Sequence, residues 1–538
     1  MGFTRRLLAN GTRLARRLAA QQVVTADAGH WLDVELDGSV PECSQPGFGR
    51  NDLGLLDLLR SLAAVRDDDR FDGVLFRISG SLSSHTRAAS IARAVTDLRE
   101  AGRRVVVWAE SLHVDQYLIA AAADQIWLPE SGALQLVGLR VERYFVRDLL
   151  ERIGARPEVV HIGRFKSAGD TFTRDGMSGE EREQLEAWQD DLFAELVSGV
   201  ARGRGLAEPR VEELIDRGPY PARAALEAGL IDALVYPDEI DERLELISLG
   251  EQPRGNVARR ARRVSAVAYH FTCAGDPGFE PWGRDAPRLV QLLALGNVGN
   301  GPVSRGITPD GTGALLEALR TESSVRGVLI RIDSPGGDAL ASDLLHRQVE
   351  RLVHEKPVVV SMGDVVASGG YYLAAAADAV FAEAGSVTGS IGVVGGKLDL
   401  SALYEKLGIS KEGVQRGARA GLLSEARGFT ADERAAVRRE MTAIYGTFVD
   451  RVARGRALAP AEVEEIAQGR IWSGRRAQSI GLVDAIGGPL EAFRDLAERA
   501  GFGPSERFPL VTIPKPSMLS VWLGSALGGF GPFGSIFR

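Results

Sequence analysis

The chain is expected to be an α/β protein in which one domain, built from βαβ units, occurs twice. Two observations carry that expectation: an internal repeat, and short apolar runs alternating with helical patterns inside each copy. A third marks where a site would open. Two glycine-bearing turns follow strand ends in the second copy, and in open α/β sheets ligands bind at the carboxyl ends of strands.

The repeat is explicit. Gly73-Val-Leu-Phe-Arg-Ile78 returns as Gly327-Val-Leu-Ile-Arg-Ile332, 254 positions on, and Ala120-Ala-Ala-Ala-Asp124 returns as Ala374-Ala-Ala-Ala-Asp378 at the same offset. Ala225-Leu-Glu-Ala-Gly-Leu-Ile-Asp232 matches Ala477-Gln-Ser-Ile-Gly-Leu-Val-Asp484 at 252, so only small insertions separate the copies. Units this long are duplicated domains and not a solenoid. In the second copy Val328 to Ile332 reads as a buried strand, Leu340 to Val353 as an amphipathic helix and Pro357 to Met362 as the next strand. An Ala-rich helix over Tyr371 to Ala377 and a strand over Ala379 to Ala382 follow. The expected organisation is a basic amphipathic segment (1–27), a first domain (28–250), a linker (251–286), a second domain (287–510) and an apolar, glycine-rich tail (511–538).

Composition narrows the class. At 538 residues, 45% hydrophobic and 25% charged, the chain has ample material for a core. A net charge of −8 argues against nucleic acid as a partner. Cys43 and Cys273 form neither a disulfide framework nor a metal spacing, and no cofactor is expected. No run reaches the ~18 apolar residues of a membrane-spanning helix. Arg13, Arg16 and Arg17 interrupt the apolar stretch a secretory signal needs. The expectation is a cytoplasmic protein without a membrane anchor. The basic N-terminus and the cluster Arg259, Arg260, Arg262 and Arg263 leave room for peripheral contact with anionic lipid.

The chemistry is expected at Asp333-Ser-Pro-Gly-Gly337 and Val366-Ala-Ser-Gly-Gly-Tyr371. Ser368, at a helix N-terminus, could be a nucleophile, with the Gly369 N–H aimed where an oxyanion would form and Gly337 as the second donor. The bland alternative is an ordinary N-cap serine. A nucleophilic serine needs a base. All seven histidines precede Ser368 and none sits in a catalytic motif, with His161 the nearest rival. Lysine offers another answer. The chain holds only six, and Lys166 is the sole one in the first 355 residues. Arginine stays protonated, whereas a desolvated lysine can act as a base.

The repeat discriminates further. By the 254 offset, Val114 stands where Ser368 does, Ser83 where Gly337 does, and Ala420 where Lys166 does. Each copy has lost what the other keeps.

These motifs resemble signal peptide peptidase A in its long, two-domain form. The marks are Ser334-Pro-Gly-Gly337, Ala367-Ser-Gly-Gly-Tyr371, Thr388-Gly-Ser-Ile-Gly392 and Phe165-Lys-Ser-Ala168, and the resemblance spans roughly residues 30 to 500. It implies tandem Clp/crotonase-like domains, a homotetramer with an enclosed chamber, and peptide substrates cleaved by a Ser/Lys dyad. Carried over, Ser368 is the nucleophile, Lys166 the base, and Ser390 orients the lysine amine; Leu136 stands at the counterpart of Ser390. The chain departs from the family in lacking the expected anchor and in carrying Gly169-Asp170 after the lysine motif. Two other readings stay open: an acyl-CoA hydratase or isomerase of the same superfamily, and a non-catalytic membrane-protein scaffold. If Lys166 is the base, it must be neutral near pH 7, which costs about 4.6 kcal/mol unless burial lowers its pKa. Burial without a carboxylate partner is therefore expected of it.

Overall fold

The computed structural model describes residues 28–38, 40–46, 51–82, 84–250, 261–271, 287–300, 306–503 and 509–514. The basic N-terminal segment, Ser83, Arg259, Arg260, Cys273 and nearly all of the tail lie outside the described residues. Among the described residues no helix is long and apolar enough to cross a membrane.

The first half contains β1 (His30–Asp37), β2 (Phe71–Ser79), α1 (His85–Glu100), β3 (Arg104–Ala109), α2 (Val114–Ala121), β4 (Gln125–Leu128), β5 (Arg156–Ile162), α3 (Gly179–Arg204), β6 (Ala233–Leu234) and β7 (Arg262–Ser265). Its main sheet runs β6–β4–β3–β2–β1–β7 with every neighbouring pair parallel. The second half repeats the plan with β8 (Arg288–Leu295), β9 (Val325–Ser334), α4 (Ala339–Val353), β10 (Val358–Ala367), α5 (Gly369–Ala374), β11 (Ala379–Ala382), β12 (Val387–Gly389), β13 (Val393–Asp399), α6 (Ala431–Gly455), β14 (Ile471–Ser473), β15 (Ala485–Ile486), α7 (Pro489–Arg499) and β16 (Leu510–Ile513). Its sheet path is β14–β12–β10–β9–β8–β16, with β11 joining β10 to β15. These strands read as continuous apolar runs because both faces are covered. Leu329 packs into the core shared with the first half, while its neighbours Val328 and Ile330 face the second core, the period of two that a strand imposes.

The expected elements are present with shifted ends. β9 extends past Val328–Ile332 in both directions, and the Ala-rich helix starts earlier, at Gly369, and stops at Ala374. The main difference is β10, which runs on past Met362 to Ala367. It pairs with β9 up to Ile332↔Met362, shifts register, and resumes at Ser334↔Val366. From Val365 it also pairs with β12. The irregularity at Gly363-Asp364 turns the strand so that Ser368 emerges at its end.

The halves are locked together and not merely tethered. Leu289, Leu329, Val359, Ala379 and Phe493 of the second half lie in the core of the first. Arg331, 1% exposed on β9, bonds Glu42 of the first half at 2.9 and 3.0 Å, and Arg87 reaches the same carboxylate at 3.0 Å. Burial pushes the Glu42 pKa up, but the two guanidiniums outweigh it and hold the group down at about 2. Asp364 accepts from Ser84 Oγ at 2.9 Å and Thr86 Oγ1 at 2.7 Å across the same seam. On α3, Trp188 donates to the Gly385 carbonyl and Asp191 pairs with Arg476. Finally β5 and β13 form a two-stranded antiparallel ribbon, one strand from each half.

Candidate active site

The β10 strand ends at Ala367 and α5 begins at Gly369, so Ser368 occupies a one-residue junction. Its backbone sits at φ 53°, ψ −120°, a region side-chain-bearing residues avoid. The junction is held from both sides. Ser368 N–H donates to the Gly389 carbonyl at 2.8 Å, and the Ser368 carbonyl accepts from Tyr372 N–H at 2.9 Å. The side chain makes no capping hydrogen bond. The N-cap reading of Ser368 is therefore set aside, since a cap would turn Oγ back onto its own helix.

Oγ instead faces Lys166. Lys166 follows β5, is 6% exposed, and places Nζ 3.0 Å from Ser368 Oγ. The same nitrogen lies 2.8 Å from the Ser390 carbonyl oxygen and 2.9 Å from Ser390 Oγ. No carboxylate pairs with the amine among the described residues; the ion-pair partner of Asp170 is Arg174. Burial alone pushes the Lys166 pKa down, to about 7. A neutral amine has two N–H groups and one lone pair. Nζ has three oxygens within 3.0 Å: Ser368 Oγ, Ser390 Oγ and the Ser390 carbonyl.

The Ser334-Pro-Gly-Gly337 turn lies directly against the junction. Gly336 has φ 99°, and a Cβ there would come within 2.7 Å of the Ser368 Cβ. A Cβ on Gly337 would lie 1.9 Å from the Val298 carbonyl oxygen. The Gly337 nitrogen is 3.2 Å and Ser342 Oγ 2.4 Å from where a Gly369 Cβ would stand, so the two turns pack closely against each other. Among the described residues neither the Gly337 nor the Gly369 N–H donates to a backbone carbonyl. The structure thus brings Ser368, Lys166, Ser390, Gly369 and Gly337 together, drawing on both halves. His161 is apart from this group: it is exposed, with Nδ1 turned to the Gly163 carbonyl.

Residues 97–248 and 350–502 each match Peptidase family S49, one match in each half. The chain belongs to peptidase family S49. It is 32% identical to the chloroplastic serine protease SPPA of Arabidopsis thaliana, over 91% of this chain and 72% of that one. It is 25% identical to Protease 4 of Haemophilus influenzae and 26% identical to Protease 4 of Salmonella typhi, over 82% and 83% of this chain and 72% of each relative. The S49 membership makes the protein a serine peptidase with two copies of the family domain, as the repeat implied.

The two S49 copies differ sharply at the equivalent junction. Val114-Asp115 replaces Ser368-Gly369. Asp115 bonds His85 Nδ1 at 3.0 Å, and Glu195 approaches Nε2 at 3.3 Å. Burial works against the imidazolium, but the two carboxylates prevail and raise the His85 pKa to about 10. Where the second copy has bare amides, the first has a packed ion cluster. The lysine side is equally lopsided. Residues 410–416, which align with β5, form no strand, and Val414 is 93% exposed.

Proposed function

We propose that the chain cleaves peptide bonds with Ser368 as nucleophile and Lys166 as general base. The observation that carries this reading is the 3.0 Å approach of a buried, carboxylate-free amine to a serine held in a strained strand-to-helix junction. Neutral Lys166 takes the Ser368 proton as Oγ attacks the carbonyl carbon. The carbonyl oxygen becomes an oxyanion held by the Gly337 and Gly369 N–H groups. The lysine ammonium then protonates the departing amine, and the acyl-enzyme remains. Water attacks next, giving its proton to Lys166, and the ester collapses with the proton returned to Ser368. Ser390 serves throughout: its carbonyl and hydroxyl oxygens face the amine and stabilise the ammonium when it forms. We infer that each half is a Clp/crotonase-like unit.

The substrates we infer are peptides with small or apolar side chains before the scissile bond, signal-peptide remnants among them, because Ala339, Leu340, Val365, Val366 and Ala367 beside the glycine turns are small or apolar. The exposed Leu407, Ile409, Val414 and Leu423 favour coverage by further copies of the chain, in keeping with a homotetramer.

Peptidase profiling of the wild type beside Ser368→Ala, with fluorophosphonate labelling, tests the nucleophile. Turnover and label are both expected to vanish in the variant. Retained thioester turnover by Ser368→Ala would favour a hydratase, and a wild type inert to both peptide and probe would favour a scaffold.

The base has its own signature. Only neutral Lys166 can accept the proton, and its pKa lies at about 7. The kcat/KM profile is therefore expected to rise with pH through about 7 and level off above it. A profile that falls across that range would contradict a lysine base.

A further inference from the structure

A short segment outside the expected motifs links the lysine segment to the loop that holds the serine. It is Gln468-Gly469-Arg470, between the helix Pro460–Ile466 and β14. The Gln468 carbonyl accepts from Phe165 N–H at 2.8 Å, one residue before the lysine. The Gln468 side-chain oxygen accepts from Arg164 N–H at 3.2 Å. On its other side, the Arg470 carbonyl accepts from Ser390 N–H at 2.7 Å, and Gly469 N–H donates to the Ile391 carbonyl at 2.7 Å. Ser390 follows Gly389, whose carbonyl holds Ser368 N–H. Three consecutive residues therefore carry the lysine segment on one edge and the serine loop on the other.

The backbone of this segment is special at two positions. Gln468 has φ 52° and Gly469 has φ 74°. A Cβ on Gly469 would meet the Lys166 Cβ at 2.6 Å, its nitrogen at 2.7 Å and its Cα at 2.8 Å. Two of those atoms are backbone and cannot swing away. Gln468 is pinned by its side chain as well, with Nε2 donating to Glu464 and lying 3.4 Å from the Tyr445 hydroxyl of α6. The other half provides a comparison. Tyr220 pairs with Leu134 as Trp472 pairs with Thr388. By that register Arg217 stands where Gly469 does, with φ −91°. At that position a glycine occurs only in the half that receives a lysine segment; the other half has Gly218 one residue on, packed against the Leu136 carbonyl.

We propose that Gln468-Gly469-Arg470 is a positioning element for the peptidase reaction: a rigid crossbar that sets the Lys166–Ser368 separation and seals the lysine from water. The inference rests on the Ser/Lys reading above. Gly469 is the position at which the lysine backbone docks flat, and the Gln468 side chain locks the bar in place. None of the three touches the reacting atoms; they act through Lys166 and Ser390.

The test uses the full chain with Gly469→Ala, Gln468→Ala and Lys166→Ala beside the wild type. Reactive serines are counted with a fluorophosphonate, and kcat and KM for a fluorogenic peptide are followed from pH 6 to 10. Gly469→Ala is expected to lower kcat at pH 7 by roughly 10²-fold with KM nearly unchanged, the cost of about an ångström of misplacement. Its acid limb should move up from about 7 toward the ordinary lysine value as water reaches the amine. Gln468→Ala should shift the limb in the same direction by less. A purely structural role would reduce the number of reactive serines and leave the limb in place; that result overturns the proposal. Should Gly469→Ala fail to fold, Gln468→Ala decides, and an unmoved limb with unchanged kcat overturns it. Retained turnover in Lys166→Ala would instead sink the dyad reading itself.

Discussion

Lys166→Met is expected to lower kcat by on the order of 10⁴-fold while the chain folds normally. The methionine occupies similar volume, keeps the pocket dry and removes the group proposed to take the Ser368 proton. Its stability should carry a diagnostic sign. The folded-state pKa of Lys166, about 7, lies below the unfolded value near 10.5. Between those pH values the unfolded chain binds a proton that the folded chain does not, so wild-type stability climbs with pH across that window. The buried amine thus costs the wild type most at and below pH 7. Lys166→Met escapes that cost, so its advantage in Tm should shrink as pH rises from 7 to 10. Thermal melts at three pH values check this; a variant that melts far below the wild type at pH 7 would mean the amine is a structural ion-pair partner after all.

The second large effect concerns the seam. Glu42→Ala is expected to destabilise the protein by about 3–5 kcal/mol, since it takes from the fully buried Arg331 guanidinium the carboxylate it is bonded to. Arg87 loses the same partner. Because the serine and the lysine come from opposite sides of this seam, activity should be lost at lower urea than the bulk of the helical signal. The double change Glu42→Leu with Arg331→Met should recover much of the stability, as apolar pairs of similar volume often do. Urea unfolding of the three variants measures it, and a loss under about 1 kcal/mol for Glu42→Ala would show that water reaches Arg331.

Much of this architecture was legible in the chain because it is written twice. The repeat located equivalent strands, and apolar runs such as Val328 to Ile332 are unambiguous when a parallel sheet is covered on both faces. The division of Ser368 and Lys166 between copies was legible for the same reason: a residue kept in one copy and lost in the other stands out. What stayed hidden has no sequence signal. Nothing local marks Glu42, in an irregular segment, as the partner of Arg331 nearly 300 residues away. The extension of β10 past Gly363 depends on a change of strand neighbour, which is a tertiary event. Positive φ at Ser368, Ser390 and Gln468 could not be read either, since these residue types do not announce it as glycine does. The strand at β5 depends on β13 of the other half, and its counterpart at 410–416, with no such partner among the described residues, shows how little the local sequence decides.

The interlocked halves also impose an order of events in time. Ribosomes deliver roughly 5–20 residues per second, N-terminal segments first. Lys166 therefore leaves the ribosome on the order of 10–40 s before Ser368, and the Gln468 crossbar comes later still. Throughout that interval the growing polypeptide holds a base with nothing to activate. If Ser368 and Lys166 form the proposed dyad, it cannot digest itself or its neighbours while it is still unfolded and most vulnerable. Many peptidases secure such latency with a cleavable inhibitory segment; with a Ser368/Lys166 dyad, the linear order of the two residues would itself contribute to it.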